Sequence, residues 1–214
     1  MGVDVLRFCH EALRETKNVY NINETLLVMI PKIENPCDMT NFRPMSLCRV
    51  VYKIVSKVLV NRLKEVLPIS ELVHYLRSSK NGPNKGYVVK LDMSKAYDQV
   101  EWRFLKKVLL KFGFGSEWVN KIMNCVRTVR YRVKCNMSLT NVIKPERGFR
   151  QVDLLSHYLF LFCMDVLSRI MLNAQEKHKI KGIRASRDGP RINHLFFADD
   201  ALLFVRNYRS EVEA

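Results

Sequence analysis

The sequence predicts an α+β fold, an antiparallel sheet backed by helices. Three observations predict it. Leu195-Phe196-Phe197 and Ala201-Leu202-Leu203-Phe204 are apolar runs of strand length on either side of Asp199 and Asp200. Val88 to Leu91 is a third such run, and it ends in Asp92. Elsewhere apolar residues recur at helical spacing over several long stretches.

In chain order, residues 3–16 read as an amphipathic helix, with Val5, Leu6, Cys9, Ala12 and Leu13 on one stripe. Thr25–Ile30 reads as a strand ended by Pro31. A long helix is expected over about 48–66, with Val51, Ile54, Val55, Val58, Leu59 and Leu63 inward. Arg43, Arg49, Lys53, Lys57, Arg62 and Lys64 give this stretch six positive charges, and no acid lies between residues 43 and 64. Such a face suits a phosphate backbone, because merely solvated faces usually mix signs. A second helix is expected over 70–79, then a loop over 78–86. A strand follows at 87–92 and one continuous helix at 95–112, stopped by Gly113 and Gly115. A further helix is expected over 116–126. Residues 128–136 alternate Val129, Tyr131, Val133 and Cys135 with Arg130, Arg132 and Lys134, a half-buried strand with a basic face that should pair with 141–146. An apolar helix over 153–174 and strands at 180–185, 192–197 and 201–206 complete the chain.

The chain has 214 residues and is 48% hydrophobic, enough for a real core. No apolar run reaches the length of a membrane span, and the start lacks the features of a secretory signal. The six cysteines show no Cys-x-x-Cys pair, so they read as reduced, mostly buried thiols of an intracellular protein. The nucleus is one expected location. Net charge is +15, from 36 basic and 21 acidic residues. A polyanion would relieve the self-repulsion, with nucleic acid ahead of an anionic membrane.

Two adjacent acids between strands admit two readings. One is an ordinary hairpin tip in water, since Asp favours turns. The other is a cation site, because two neighbouring carboxylates repel unless something positive compensates. Asp92, in a similar setting, supports the second. Three carboxylates converging on a sheet suit Mg²⁺, and two such ions clamp the oxygens of an in-line phosphoryl transfer.

The residues resemble a known family. Leu91-Asp92-Met93-Ser94-Lys95-Ala96-Tyr97-Asp98 resembles the first palm motif of reverse transcriptases, and Phe197-Ala198-Asp199-Asp200 their second acidic motif. Asn41-Phe42-Arg43-Pro44-Met45-Ser46-Leu47 is similar to the fingers motif of the non-LTR, LINE-type retrotransposon branch as found in plants. The resemblance implies a partial right-hand polymerase, with residues 1–86 fingers-like and 87–214 palm, and no thumb. It implies an RNA-directed DNA polymerase that joins nucleotides to a primer 3′-hydroxyl with two Mg²⁺, or Mn²⁺ in their place. Its partners would be an RNA template, a DNA primer and deoxynucleoside triphosphates, with no membrane. Asp92, Asp199 and Asp200 would be the catalytic metal ligands, helped by the Met93 carbonyl. Tyr97 would gate the sugar, although it also fits a core position on its helix. Gln151 would lie beside the incoming nucleotide. Arg43, Arg49 and Lys53 would contact template or triphosphate.

The chain departs from the family pattern. After Arg150-Gln151 the family has Gly-Asp-Pro-Leu-Ser-Pro-Tyr, whereas this chain has Val152-Asp153-Leu154-Leu155-Ser156-His157-Tyr158. A Val where Gly is usual means a strained backbone or a side chain in the ligand's way. Residues 67–72 join segments that the family separates by a further fingers motif, and the later palm and thumb are expected to be missing. The expected activity is therefore impaired. The alternatives are a catalytically dead relic that only binds nucleic acid, and a basic interaction module that never used its acids.

Overall fold

The computed structural model describes residues 2–14, 19–63, 86–93, 95–135, 138–184, 191–197 and 200–206. The helix expected at 70–79 and most of the loop at 78–86 lie outside these residues. The chain forms two compact units, Met1–Val66 with Tyr97–Phe160, and Leu67–Ala96 with Leu161–Ala214. This partition follows packing and does not bear on the division at 86/87 into fingers-like and palm parts that the resemblance leads one to expect.

The first unit opens with α1 (Gly2–Leu13), β1 (Glu24–Pro31), β2 (Phe42–Cys48) and α2 (Val50–Leu63). The fingers-like stretch at 41–47, to which the sequence pattern assigned no element, is thus a strand. Pro44 sits in its middle without harm because β2 lies at a sheet edge, where a missing N–H leaves no ladder bond unmade. The sheet order is β2-β1-β4-β5, with β4 at Arg130–Cys135 and β5 at Ser138–Leu139. β1 and β2 are antiparallel, and β1 and β4 are parallel, from Glu24↔Arg130 to Val28↔Lys134. The pairing of 128–136 with 141–146 is corrected: among the described residues a single isolated Tyr131–Ile143 bridge joins them, and β5 takes the adjacent positions. A period-2 pattern shows that a strand exists but carries no information about a partner a hundred residues away.

Helix α2 is rotated from its expected stripe. Its buried residues are Tyr52, Val55, Ser56, Leu59, Val60 and Leu63, while Ile54 is exposed. The cause is a buried carboxylate. Tyr52 Oη donates to Asp153 Oδ2 at 3.4 Å, and Ser56 Oγ to Oδ1 at 3.3 Å, so two polar side chains turn inward.

The single helix expected at 95–112 is broken into α3 (Ala96–Gln99) and α4 (Trp102–Lys111), with Glu101 extended at ψ 126°. The segment 148–149 breaks it. Gly148 N donates to Val100 O and Phe149 N to Tyr97 O, both at 2.8 Å, and Trp102 Nε1 donates to Gly148 O at 2.8 Å. Gly148 has φ +82°, and a Cβ there would lie 2.9 Å from the Asp98 backbone, so only glycine permits the approach. Helix α5 (Ser116–Arg127) packs on α4, with Leu105, Leu109, Val119 and Ile122 fully buried between and beneath them.

Helix α6 (Leu154–Glu176) runs from the first unit into the stretch assigned to the second. The second unit's main sheet is antiparallel, order β3-β9-β8, from β3 (Gly86–Asp92), β8 (His194–Phe197) and β9 (Asp200–Arg206). Of the expected strand at 180–185, residues 180–182 are irregular and Ile183–Arg184 forms β6, paired with β7 (Arg191–Ile192). Asn193 separates β7 from β8 because its amide turns aside to the carbonyl of Met171, at 3.0 Å. Helix α6 is long and apolar enough to span a membrane by composition, yet Leu155, Leu159, Phe160 and Phe162 are core residues. Cys9, Cys125 and Cys163 are buried free thiols, and burial raises Cys125 and Cys163 to about 12. Cys37 is exposed, against expectation, because it lies in the irregular stretch between β1 and β2.

Candidate active site

The second unit sets two of the three predicted acids against each other. Strands β3 and β9 pair from Gly86↔Arg206 to Asp92↔Asp200, so the acids form the last rung of the ladder. Residues directly opposite one another in such a ladder have Cα atoms about 4.5–5.5 Å apart. β8 and β9 end their pairing at Phe197↔Asp200. Asp199 lies outside the described residues. Met93 follows β3, and its carbonyl accepts from Ala96 N at 2.9 Å, which leaves the oxygen's second lone pair.

In the first unit the stretch 150–153 is fixed from both ends. Arg150 and Asp153 are buried, at 4% and 8% exposure, while Val152 between them is 72% exposed. Arg150 donates to Cys48 Sγ at 3.1 Å and to Asn23 Oδ1, and stacks 4.1 Å over the Tyr52 ring. Burial opposes its charge, but Tyr52, Cys48 and Asp153 outweigh that and hold the guanidinium above its usual range. Asp153 accepts from Tyr52, Ser56 and Ser156, and burial together with that carboxylate pushes the Tyr52 phenol well up. Asn23 completes the network by donating to Cys125 O and Thr128 Oγ1, both at 2.8 Å. Gln151 is therefore carried on a turn whose neighbours on both sides are locked. Sequence reasoning singled out Gln151 and missed Arg150, Asp153 and Asn23, since charged and amide residues are ordinarily taken as solvated.

The other predicted residues of this unit divide. Tyr97 is half-buried, stacked on Phe160 at 4.6 Å and edge-on to Phe149, with its hydroxyl 3.2 Å from His157 Nδ1. Arg43 is exposed on β2. Arg49 is partly committed to Glu24, at 3.3 Å. Lys53 and Val152 line one open cavity of about 560 Å³, with Lys57, Ile54 and Leu154.

Residues 30–214 match the family described as reverse transcriptase (RNA-dependent DNA polymerase). The chain belongs to the reverse transcriptase family. It is 30% identical over 196 residues to a retrovirus-related Pol polyprotein of a type-1 retrotransposable element of Nasonia vitripennis, covering 83% of this chain and 18% of that one. It is 25% identical to a transposon-encoded 149 kDa protein of Xenopus laevis, covering 97% of this chain and 17% of the relative. An uncharacterized mitochondrial protein of Arabidopsis thaliana is 54% identical over 59 residues, 28% of this chain and 48% of that protein. The chain thus spans under half the length of these relatives. Among solved structures, telomerase from Candida tropicalis in complex with a fragment of telomeric RNA superposes with a TM-score of 0.55 at 13% identity, over 90% of this chain and 37% of that one. That likeness shows the fold, a partial fingers-palm arrangement of the α+β class.

Within this reverse transcriptase domain Val152 has φ +60°. Of the two consequences expected from a Val in place of the family glycine, backbone strain is present. A β-branched residue in the left-handed region costs about 1–3 kcal/mol, whereas glycine adopts it freely. Part of that gain is offset by the greater unfolded-state freedom of glycine. Val152→Gly is expected to raise stability by about 1 kcal/mol, read as a higher chemical-denaturation midpoint at unchanged slope. An unchanged or lower midpoint would show that the strain is relieved elsewhere.

One more group bears on the acid strand of the reverse transcriptase domain. His194 opens β8, with Nε2 2.7 Å from Ser168 Oγ and Nδ1 against Asn193 Oδ1. Asn193 Nδ2 donates to Met171 O, so its Oδ1 accepts; His194 then carries its proton on Nδ1 and accepts from Ser168 at Nε2. Burial lowers the imidazole below its usual 6.5. The unfolded chain therefore binds the proton first on acidification, and stability falls as pH drops from about 7 through the depressed folded value. Thermal melts at pH 7.5 and pH 5.5 should show a larger acid loss for the parent than for His194→Gln. Equal losses would remove His194 from the account.

Proposed function

We propose that the chain carries the nucleotidyl-transfer centre of a retrotransposon RNA-directed DNA polymerase of the non-LTR type, in the form found in plants. The observation that carries this reading is the opposition of Asp92 and Asp200 at the end of the β3–β9 ladder. Two acids at one register position bring like charges close together, which a hard divalent cation with oxygen ligands would offset. Asp92, Asp199 and Asp200 are the residues that would hold Mg²⁺ or Mn²⁺, with the Met93 carbonyl as an additional oxygen. When bound, the ions would sharpen the primer 3′-hydroxyl and neutralise departing pyrophosphate. Gln151, on its locked turn, would lie against the incoming nucleotide. Tyr97, its ring fixed by Phe160 and its hydroxyl by His157, would sit under the sugar and exclude a 2′-hydroxyl. Arg43, Arg49 and Lys53 would meet the template strand or triphosphate. On this reading residues 1–86 serve as a fingers-like part and 87–214 as palm, and the site of action is the nucleus.

The test is template-directed incorporation by the purified chain on a primed RNA template with Mg²⁺, beside Asp92→Asn. Incorporation above that control supports the reading; equality overturns it. A second reading, a relic that binds nucleic acid without catalysis, is favoured by the strained Val152 at the edge of the cavity that holds Lys53. Val152→Gly would then restore no incorporation while salt-dependent binding persists.

A further inference from the structure

Helix α2 turns two rows of side chains into the open cavity of about 560 Å³. One row is apolar, Val50 and Ile54, and the other is basic, Lys53 and Lys57. Positions four apart in a helix lie on one face, so each row is a continuous stripe. Val152 and Leu154 add to the apolar lining. Val50 and Val152 are 71% and 72% exposed, and Ile54 and Leu154 38% and 41%. Four aliphatic side chains left open around one hollow mark a place where something binds. Val152 is held there at φ +60°, a backbone that a β-branched residue disfavours. The polar groups of the floor are committed to one another. Ser56 Oγ donates to Asp153, which also accepts from Tyr52 and Ser156, and Cys48 Sγ accepts from Arg150. The Arg150 guanidinium also compensates the Asp153 charge. Among the described residues Lys53 and Lys57 meet no acid, so the charge offered to a ligand is positive.

We propose that this cavity binds a small amphiphilic anion of the long-chain carboxylate class. Its apolar body would lie against Val50, Ile54, Val152 and Leu154, and its head would meet Lys53 and Lys57. Small-molecule sites have this make-up, a concave and mostly aliphatic wall with a few charged groups that fix one end of the ligand. A nucleotide fits the lining less well, because no aromatic ring lines the cavity to stack a base and the floor has no uncommitted polar side chain to pair with one. An anionic membrane meets an amphipathic surface lying in its plane rather than filling a hollow. The inference goes beyond the polymerase reading and needs neither metal nor template.

The experiment is isothermal titration calorimetry of the full chain with dodecanoate, below its micelle-forming concentration and without metal. One saturable site is expected, with affinity rising about threefold for each methylene from octanoate to dodecanoate. Lys53→Gln/Lys57→Gln should weaken dodecanoate about tenfold. Val50→Ser/Ile54→Ser should weaken it by about the same factor. Lys107→Gln/Lys111→Gln, with the same spacing and exposed on α4, should leave the affinity unchanged. Circular dichroism melts show that each variant is folded. Dodecyltrimethylammonium, of opposite charge, should bind more weakly than dodecanoate. The absence of saturable binding would overturn the proposal, as would equal losses in the α2 and α4 lysine variants or equal affinity for the cationic amphiphile. Displacement of dodecanoate by an equal concentration of deoxythymidine triphosphate would assign the cavity to the nucleotide and overturn it as well. So would lysine-dependent binding of phosphatidylserine vesicles by a chain that takes no dodecanoate. A chain that binds dodecanoate but shows no incorporation keeps this site and loses the polymerase reading alone, and the reverse result removes this site alone.

Discussion

Asp200→Asn is expected to lower template-directed incorporation about 1,000-fold and to leave the fold intact. Asn has nearly the same shape and keeps one oxygen donor, so the start of β9 and its pairing with Asp92 should persist. It removes a charge that a divalent cation would need. Metal-held charge stabilisation is worth several kcal/mol in a phosphoryl-transfer transition state, and about 4 kcal/mol is a factor of about 1,000. The same change relieves repulsion across the last rung of the ladder, so in the presence of a chelator the variant should melt at or above the parent's temperature. Added Mg²⁺ should raise the parent's melting temperature and not the variant's, because only a state that binds the ion gains by mass action. Primer extension and melts with and without Mg²⁺ check both parts. A variant that melts lower without metal would mean that Asp200 is a structural turn residue.

Arg150→Met is expected to cost about 3–5 kcal/mol of stability, lowering the melting temperature by about 10 °C. The methionine fills much of the volume over Tyr52 but returns none of the donors. Asn23 Oδ1 and Cys48 Sγ lose their donor, and the buried Asp153 carboxylate loses the positive charge that compensates it. Adding Asp153→Asn should cost less than the two single losses summed, because the second change removes the charge that the first left unmatched. Strict additivity in a denaturation cycle would show that the two residues act independently. Nothing in this prediction depends on activity, so it tests the frame that carries Gln151 even in an inactive chain.

Much of the secondary structure was legible because it follows from local periodicity. α1, β1, α2, α5 and α6 fall where apolar spacing puts them, with ends shifted by a few residues. The failures share a cause. The break after Gln99 is made by backbone bonds from Gly148 and Phe149, some fifty residues further on, and no local pattern contains them. The rotation of α2 is made by Asp153, a carboxylate whose burial depends on Tyr52, Ser56 and Ser156 arriving together. Cues existed that sequence reading passed over: Gly148 inside an otherwise extended stretch, and an Asp immediately before a strongly apolar helix.

By itself the sequence determined the family, through acids and aromatics at set positions in a set order. It also determined the charge that makes a polyanion the natural partner. Only tertiary structure decided that residues 92 and 200 stand opposite each other, that β1 joins β4 in parallel, and that Arg150 and Asp153 lie inside while Val152 lies outside in a left-handed backbone. The physical reason is range. Helical and strand periodicity is written within a dozen residues, whereas partner choice and the burial of a charge depend on groups brought together only when distant segments pack.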